Sequence, residues 1–173
     1  LKHNFVSFEN KKLHQELIKM RETSPAKFGN LYDTLNLSSG LKKIFYQDKF
    51  LKLFSKILDA KVYNVFINGF MFRLDVPYDK RNILDWHQDS PYYEMTHPKF
   101  NSGVCWLSIT NNTLENGSLN YLMKSHQRGH LSSKGYKLNS LYSEQHKIKI
   151  PKDAKVDILK GGFGDISCFH MNI

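Results

Sequence analysis

The stretch "LDWHQDSPYY" at residues 84–93 sets His87 two residues before Asp89, between Trp86 and the tyrosines Tyr92 and Tyr93. If residues 83–89 form a strand, side chains alternate across it, so His87 and Asp89 share one face and Gln88 takes the other. An imidazole and a carboxylate that converge in this way supply two members of a 2-His-1-carboxylate facial triad. Such a triad suits Fe(II) and leaves coordination positions open for a bidentate cosubstrate and dioxygen. The three letters alone are weak, because the chain carries 8 histidines and 16 acidic residues, and an isolated pair of this kind is more often a solvated, hydrogen-bonded couple. His126 and His130 have i, i+4 spacing, but Gly129 interrupts the segment and no third ligand is near in sequence, which argues against zinc there. His3, His14, His97 and His146 have no supporting pattern.

The elements around this stretch change character along the chain. Residues 38–59 repeat apolar residues at Leu41, Ile44, Phe45, Leu51, Phe54, Ile57 and Leu58 after a serine pair that can cap, which predicts one helix. A shorter helix is predicted over about residues 9–20, with Leu13, Leu17, Ile18 and Met20 on one side and Pro25 following. From Val62 onward, short runs rich in Val, Ile, Phe and Tyr are broken by turn residues at Asn68-Gly69, Pro77, Asn116-Gly117 and Gly161-Gly162. Strands are predicted near 62–76, 83–89, 103–110, 117–123, 146–150, 155–159 and 164–170. Helices followed by many short strands suggest helices packed on one outer side of a double-sheet β-structure.

Composition bounds the function. A chain of 173 residues with 40% hydrophobic and 24% charged residues is the size and texture of one globular domain. No uncharged apolar run is long enough to cross a bilayer, and the first residues lack the apolar stretch of a secretory signal, so the expected location is the cytoplasm. Cys105 and Cys168 lie far apart without a C-x-x-C pattern and are read as buried thiols in a reducing compartment. The net charge of +9, with pI near 9.4, would suit a polyanion through counterion release. The lysines are scattered, however, with only pairs such as Lys11-Lys12 and Lys42-Lys43, which argues against nucleic acid as the partner.

Three blocks in order, "WHQDSPYY", "GVCWLSITNNTLENGSLNYLMKSHQRGH" and "GGFGDISCFHMNI", resemble the phytanoyl-CoA dioxygenase family of Fe(II) and 2-oxoglutarate-dependent oxygenases, over about residues 60–173. The resemblance implies a mainly β fold with N-terminal helices: a double-stranded β-helix, or cupin-like jelly roll. Residues 1–60 would form the helical part and 61–173 an incomplete β core within one oxygenase-like domain, 1–173. It implies that His87 and Asp89 bind iron, that the "ENGSL…SH" block closes the mouth of the β-helix, and that Trp106 lines the 2-oxoglutarate pocket. A core tryptophan on an alternating strand is the other reading of Trp106. The implied reaction hydroxylates an unactivated C–H bond of a small organic substrate while 2-oxoglutarate and dioxygen give succinate and carbon dioxide. Retention of Asp89 favours hydroxylation, since related halogenases leave that ligand position empty for chloride.

The sequence departs from the pattern twice. "MKSH" stands where relatives usually have Pro-Gly-Ser-His, so Ser125 and His126 match but the tight Pro-Gly turn does not. The family's distal iron-binding histidine falls a few residues after His170, beyond Ile173, and the basic residue for the far carboxylate of 2-oxoglutarate falls later still. The last core strand or strands are thus expected to be missing. His170 stands only as a substitute ligand and reads first as a partly buried, hydrogen-bonded histidine. Arg73, on the segment leading to the motif, is a candidate for a carboxylate of substrate or cosubstrate, or a surface arginine. Tyr92, Tyr93, Met95 and His97 follow the motif, where they would meet the substrate or pack a lid. Two other classes stay open: a β-helix that lost its metal and serves as a binding or assembly module, and a basic polyanion-binding domain.

Overall fold

The computed structural model describes residues 11–77, 83–92, 101–136 and 145–173. The chain divides into two compact units, Leu1–Asp79 and Lys80–Ile173.

The first unit is helical. Helix α1 spans Lys11–Thr23 and α2 spans Pro25–Leu37, a helix that the apolar periodicity did not announce. Pro25 sits at the first helical position, where its missing N–H has no intrahelical partner to lose, and Phe28 is wholly buried. The single helix predicted over 38–59 is two: α3, Ser39–Phe45, and α4, Asp48–Ile57. Ser38 caps α3, its Oγ accepting from the Leu41 amide at 3.3 Å. The break lies at Gln47, whose extended backbone restarts the helix with Asp48 in its first turn, where a carboxylate suits the dipole. The break falls in the polar gap Tyr46–Lys49 and turns Phe50 inward, a residue outside the predicted apolar face; it is buried and its ring lies 5.7 Å from that of Phe45. Asp59, at φ 47°, ends α4 in the left-handed conformation, and the Ala60 amide donates back to Ser55 O at 2.8 Å.

Residues 62–76 are not a strand. Val62–Asn64 form a 3₁₀ turn, and the stretch after it has no ladder partner among the described residues. It is clipped to α2 instead: Asn36 Oδ1 accepts from the Phe72 amide at 2.7 Å and Asn36 Nδ2 donates to Phe72 O at 3.0 Å. A side-chain amide thus replaces a strand neighbour.

The second unit is built from antiparallel pairs. Strands β1 (Gly103–Leu107), β2 (Asn120–Leu122), β3 (Ser133–Tyr136), β4 (Gln145–Ile148), β5 (Val156–Ile158) and β6 (Ile166–His170) pair as β1–β6, β2–β5 and β3–β4. Among the described residues these are three two-stranded sheets with no closed barrel. Strand β3 escaped the sequence reading because Ser-Lys-Gly-Tyr has no apolar alternation; its register with β4 comes from backbone pairing. Leu122, Ile148, Leu159 and Met171 are the buried apolar residues of this unit among those described. No helix of the described residues is long and apolar enough to cross a membrane. The two cysteines are not buried as predicted: Cys105 is half-buried and Cys168 exposed, because they sit on a two-stranded ribbon whose face is incompletely covered.

The turn that lacks Pro-Gly keeps the backbone that Pro-Gly would favour. Lys124 has φ 59° and ψ 15°, directly before the 3₁₀ turn Ser125–Arg128. A left-handed conformation costs an L side chain about 1–2 kcal/mol, and the extra chain entropy that glycine loses offsets about 0.5–1 kcal/mol of that. Lys124→Gly is therefore expected to stabilise the protein by about 0.5–1 kcal/mol. Urea unfolding checks this: the midpoint should rise at constant slope.

Candidate metal centre

The segment carrying His87 and Asp89 is a loop, not the predicted strand at 83–89. Its backbone amides go elsewhere, which is the physical reason. Asp89 N and Ser90 N both donate to the Met171 carbonyl, at 3.0 and 3.2 Å, and Ser90–Tyr92 wind into a 3₁₀ turn. The Trp86 carbonyl accepts from the Ile148 amide at 2.8 Å, so the loop is fastened on one side to β4 and on the other to the residue after β6.

The convergence expected from strand alternation is reached by this loop. His87 Nε2 and Asp89 Oδ1 lie 3.5 Å apart, with both side chains partly exposed. His87 Nδ1 lies 2.7 Å from the Asp85 carbonyl oxygen. A carbonyl only accepts, so Nδ1 carries the proton and the Nε2 lone pair falls on the Asp89 side. Two lone-pair donors then face each other, an arrangement that repels unless a proton or a metal ion lies between them. A first-row divalent ion held at about 2.1 Å by such donors at right angles sets them about 3 Å apart, close to the spacing found. The carbonyl behind the imidazole is the usual partner that orients a metal-binding histidine. The pair therefore fits a divalent metal as two of its ligands. Among the described residues, no group of three His, Cys, Asp or Glu side chains is arranged to hold a metal ion.

His170 differs from His87 in the atom that matters. The Asn172 amide donates to His170 Nδ1 at 3.0 Å, so Nδ1 offers the lone pair and Nε2 carries the proton. Nε2 in that tautomer is a hydrogen-bond donor and not a metal ligand. Its ring lies 5.7 Å from that of His126, and burial first, then the neighbouring His126 and His130, push its pKa below the ordinary value. His126 Nδ1 is itself buried without a hydrogen-bond partner.

The remaining candidates are distributed unevenly. The Tyr92 ring meets His87 edge-on at 5.9 Å and His146 at 5.2 Å. Its hydroxyl accepts from the His146 amide at 2.8 Å and donates to Gln145 Oε1 at 3.3 Å, so the ring that meets His87 is fastened to β4. Trp106 is half-buried on β1 opposite Ser167. Arg73 belongs to the first unit, where its Nη2 pairs with Asp75 Oδ2 at 3.0 Å. Tyr93, Met95 and His97 lie outside the described residues.

Alternation sets Gln88 on the face opposite His87 and Asp89 but does not foretell its structural role. Gln88 is 1% exposed and buried in the motif itself. Its Nε2 donates to Gly129 O at 3.0 Å and Asn172 O at 2.7 Å, and its Oε1 accepts from the Leu131 amide at 2.8 Å. Both amide donors and the carbonyl are thus used, and the residue between His87 and Asp89 ties that stretch to the 125–131 segment and to the chain after β6. Ser90 Oγ adds a contact to His130 Nδ1 at 3.1 Å.

The family model for phytanoyl-CoA dioxygenase (PhyH) matches residues 8–170, nearly the whole chain. The chain belongs to that family. PhyH proteins are oxygenases that act on small molecules and generally use Fe(II) and 2-oxoglutarate. No curated protein and no solved structure matches the chain.

Two measurements follow. Gln88→Ala strands two carbonyls and an amide in the interior and should cost about 3 kcal/mol in urea unfolding. For His170, the depressed folded-state pKa means that the unfolded chain binds the extra proton first. Stability is then complete above about pH 6.5 and falls as pH drops below it. Unfolding free energies between pH 5 and 8 should show a shallower acid decline in His170→Gln than in the wild type.

Proposed function

We propose that this PhyH protein is an Fe(II) and 2-oxoglutarate-dependent dioxygenase that hydroxylates an unactivated C–H bond of a small organic substrate. The facing lone pairs of His87 and Asp89 carry this reading, together with family membership. In this reading the whole chain contributes to one oxygenase-like domain with a jelly-roll core, and a third ligand joins His87 and Asp89.

When bound, iron and 2-oxoglutarate would supply the electrons that reduce dioxygen and so generate the oxidant for the C–H bond. The protein's own residues do the rest. Asp85 O fixes the His87 tautomer, and the Tyr92 ring limits how the imidazole can turn. Met171 O and Gln88 hold the Asp89 carboxylate at its distance. Trp106 gives an apolar wall for the cosubstrate. Tyr92 borders the substrate. Because His87 must be neutral to bind metal, protons compete with the metal for Nε2, and affinity falls as pH is lowered.

The test is anaerobic titration with Fe(II), with Mn(II) as an air-stable probe, alongside 2-oxoglutarate consumption. His87→Ala and Asp89→Ala should each weaken metal binding more than about tenfold and abolish 2-oxoglutarate turnover, while the urea midpoint stays near that of the wild type, since both side chains are partly exposed. Turnover that survives Asp89→Ala would sink the carboxylate assignment. A wild type as metal-blind as the variants would favour the inactive binding module.

A further inference from the structure

Cys105 and Cys168 are separated widely in the sequence but are direct partners in the β1–β6 ladder. The ladder's hydrogen bonds fix what kind of pair they are. Ser108 N donates to Asp165 O at 2.9 Å and Met171 N donates to Ser102 O at 3.4 Å, which places bonded pairs at the even-numbered positions flanking and within β1. Cys105 is odd and so belongs to a non-hydrogen-bonded pair. In such pairs the Cα atoms lie about 4.5 Å apart with the side chains close together on the same face. Disulfides span Cα separations of about 4.4–6.8 Å, so this pair can be bridged without moving the backbone. The closeness of the ribbon shows two residues away, where a Cβ added at Gly103 would meet Phe169 O at 2.9 Å.

We propose that Cys105 and Cys168 form a cross-strand dithiol that low-molecular-weight disulfides convert into an intramolecular disulfide. The exposed Cys168 reacts first. Its thiol loses a proton to solvent and attacks one sulfur of the small disulfide, releasing one small thiolate and leaving a mixed disulfide on Cys168. Cys105 then loses its proton and attacks the Cys168 sulfur, releasing the second small thiolate. Two protein thiols are oxidised, one small disulfide is reduced to two thiols, and the released thiolates take up the two protons. The order of attack follows from acidity. Burial, then the neighbouring Cys168, pushes the Cys105 thiol up to about 12, whereas a hydrogen bond from Cys105 partly offsets the effect of burial on Cys168. Both thiols are protonated at neutral pH, so the reaction is slow there and quickens with pH. The bridge would tie β1 to the strand that leads into Met171, whose carbonyl holds the Asp89 and Ser90 amides.

The test equilibrates the protein with glutathione and oxidised glutathione, folded and in urea, then quenches with acid and maps peptides by mass. A Cys105–Cys168 peptide pair should form, with loss of both titratable thiols. At one glutathione ratio it should be favoured at least about tenfold in the folded chain over the unfolded chain, because the fold presets the geometry. Its formation rate should rise about tenfold per pH unit near neutrality. Cys105→Ser should stop at the glutathione adduct on Cys168. Equal or smaller disulfide formation in the folded chain, accumulation of adducts on both cysteines of the wild type, or bridging only between chains would each overturn the proposal.

Discussion

One carbonyl oxygen, that of Met171, accepts the amides of both Asp89 and Ser90, and the candidate site depends on it. A loop has no ladder to fix its backbone, so the positions of His87 and Asp89 must come from bonds to other segments. The Met171 carbonyl supplies one such bond set and the buried Gln88 amide supplies the other. Together they fasten three consecutive residues, with the His87 and Asp89 side chains meeting each other and the Gln88 amide bonded to other segments. Strand alternation would give the same division of faces, which is why a wrong backbone assignment still led to the right convergence.

Charge and proton placement then separate two histidines that look alike in composition. His87 has an acceptor behind Nδ1 and so presents a lone pair at Nε2, whereas His170 has a donor behind Nδ1 and so presents N–H. A single hydrogen bond of opposite sense decides which ring offers its lone pair at Nε2. Burial first, then the neighbouring His126 and His130, push the His170 pKa below its ordinary value, which favours the ring form that accepts from the Asn172 amide.

Much of this was legible where chemistry is local. The His-x-Asp pair, the family resemblance and the strands near 103–110, 117–123, 155–159 and 164–170 rest on short patterns that the fold keeps. What was not legible depends on partners distant in sequence. Residues 62–76 have the composition of a strand, but Asn36 takes the backbone bonds of Phe72 that a neighbouring strand would have made. The helix over 38–59 breaks at Gln47 because burying Phe50 requires a shift of phase that periodicity counted over the whole stretch averages away. The cysteine pairing is set by the β1–β6 register, which spacing along the chain does not encode.

The distribution of buried polar groups carries the argument one step further. Burying a polar side chain is costly unless its bonds are met, so a fold tends to keep such groups few or to place them where a fixed geometry is needed. Among the described residues of the second unit, the buried polar residues are Gln88, Ser90, Ser108, Ser125 and Asn172, and all but Ser108, whose hydroxyl accepts from Asn112 Nδ2, belong to the network around the His87–Asp89 loop. Replacing them by apolar residues of similar volume would leave the backbone groups they serve unpaired, because their partners are mainly main-chain amides and carbonyls. The polar network is thus bound to the loop conformation that it holds. Asn172 shows the limit of that economy: its backbone carbonyl serves Gln88 while its own Oδ1, like His126 Nδ1, is buried with no hydrogen-bond partner among the described residues, so the groups met in full are those that hold the loop backbone.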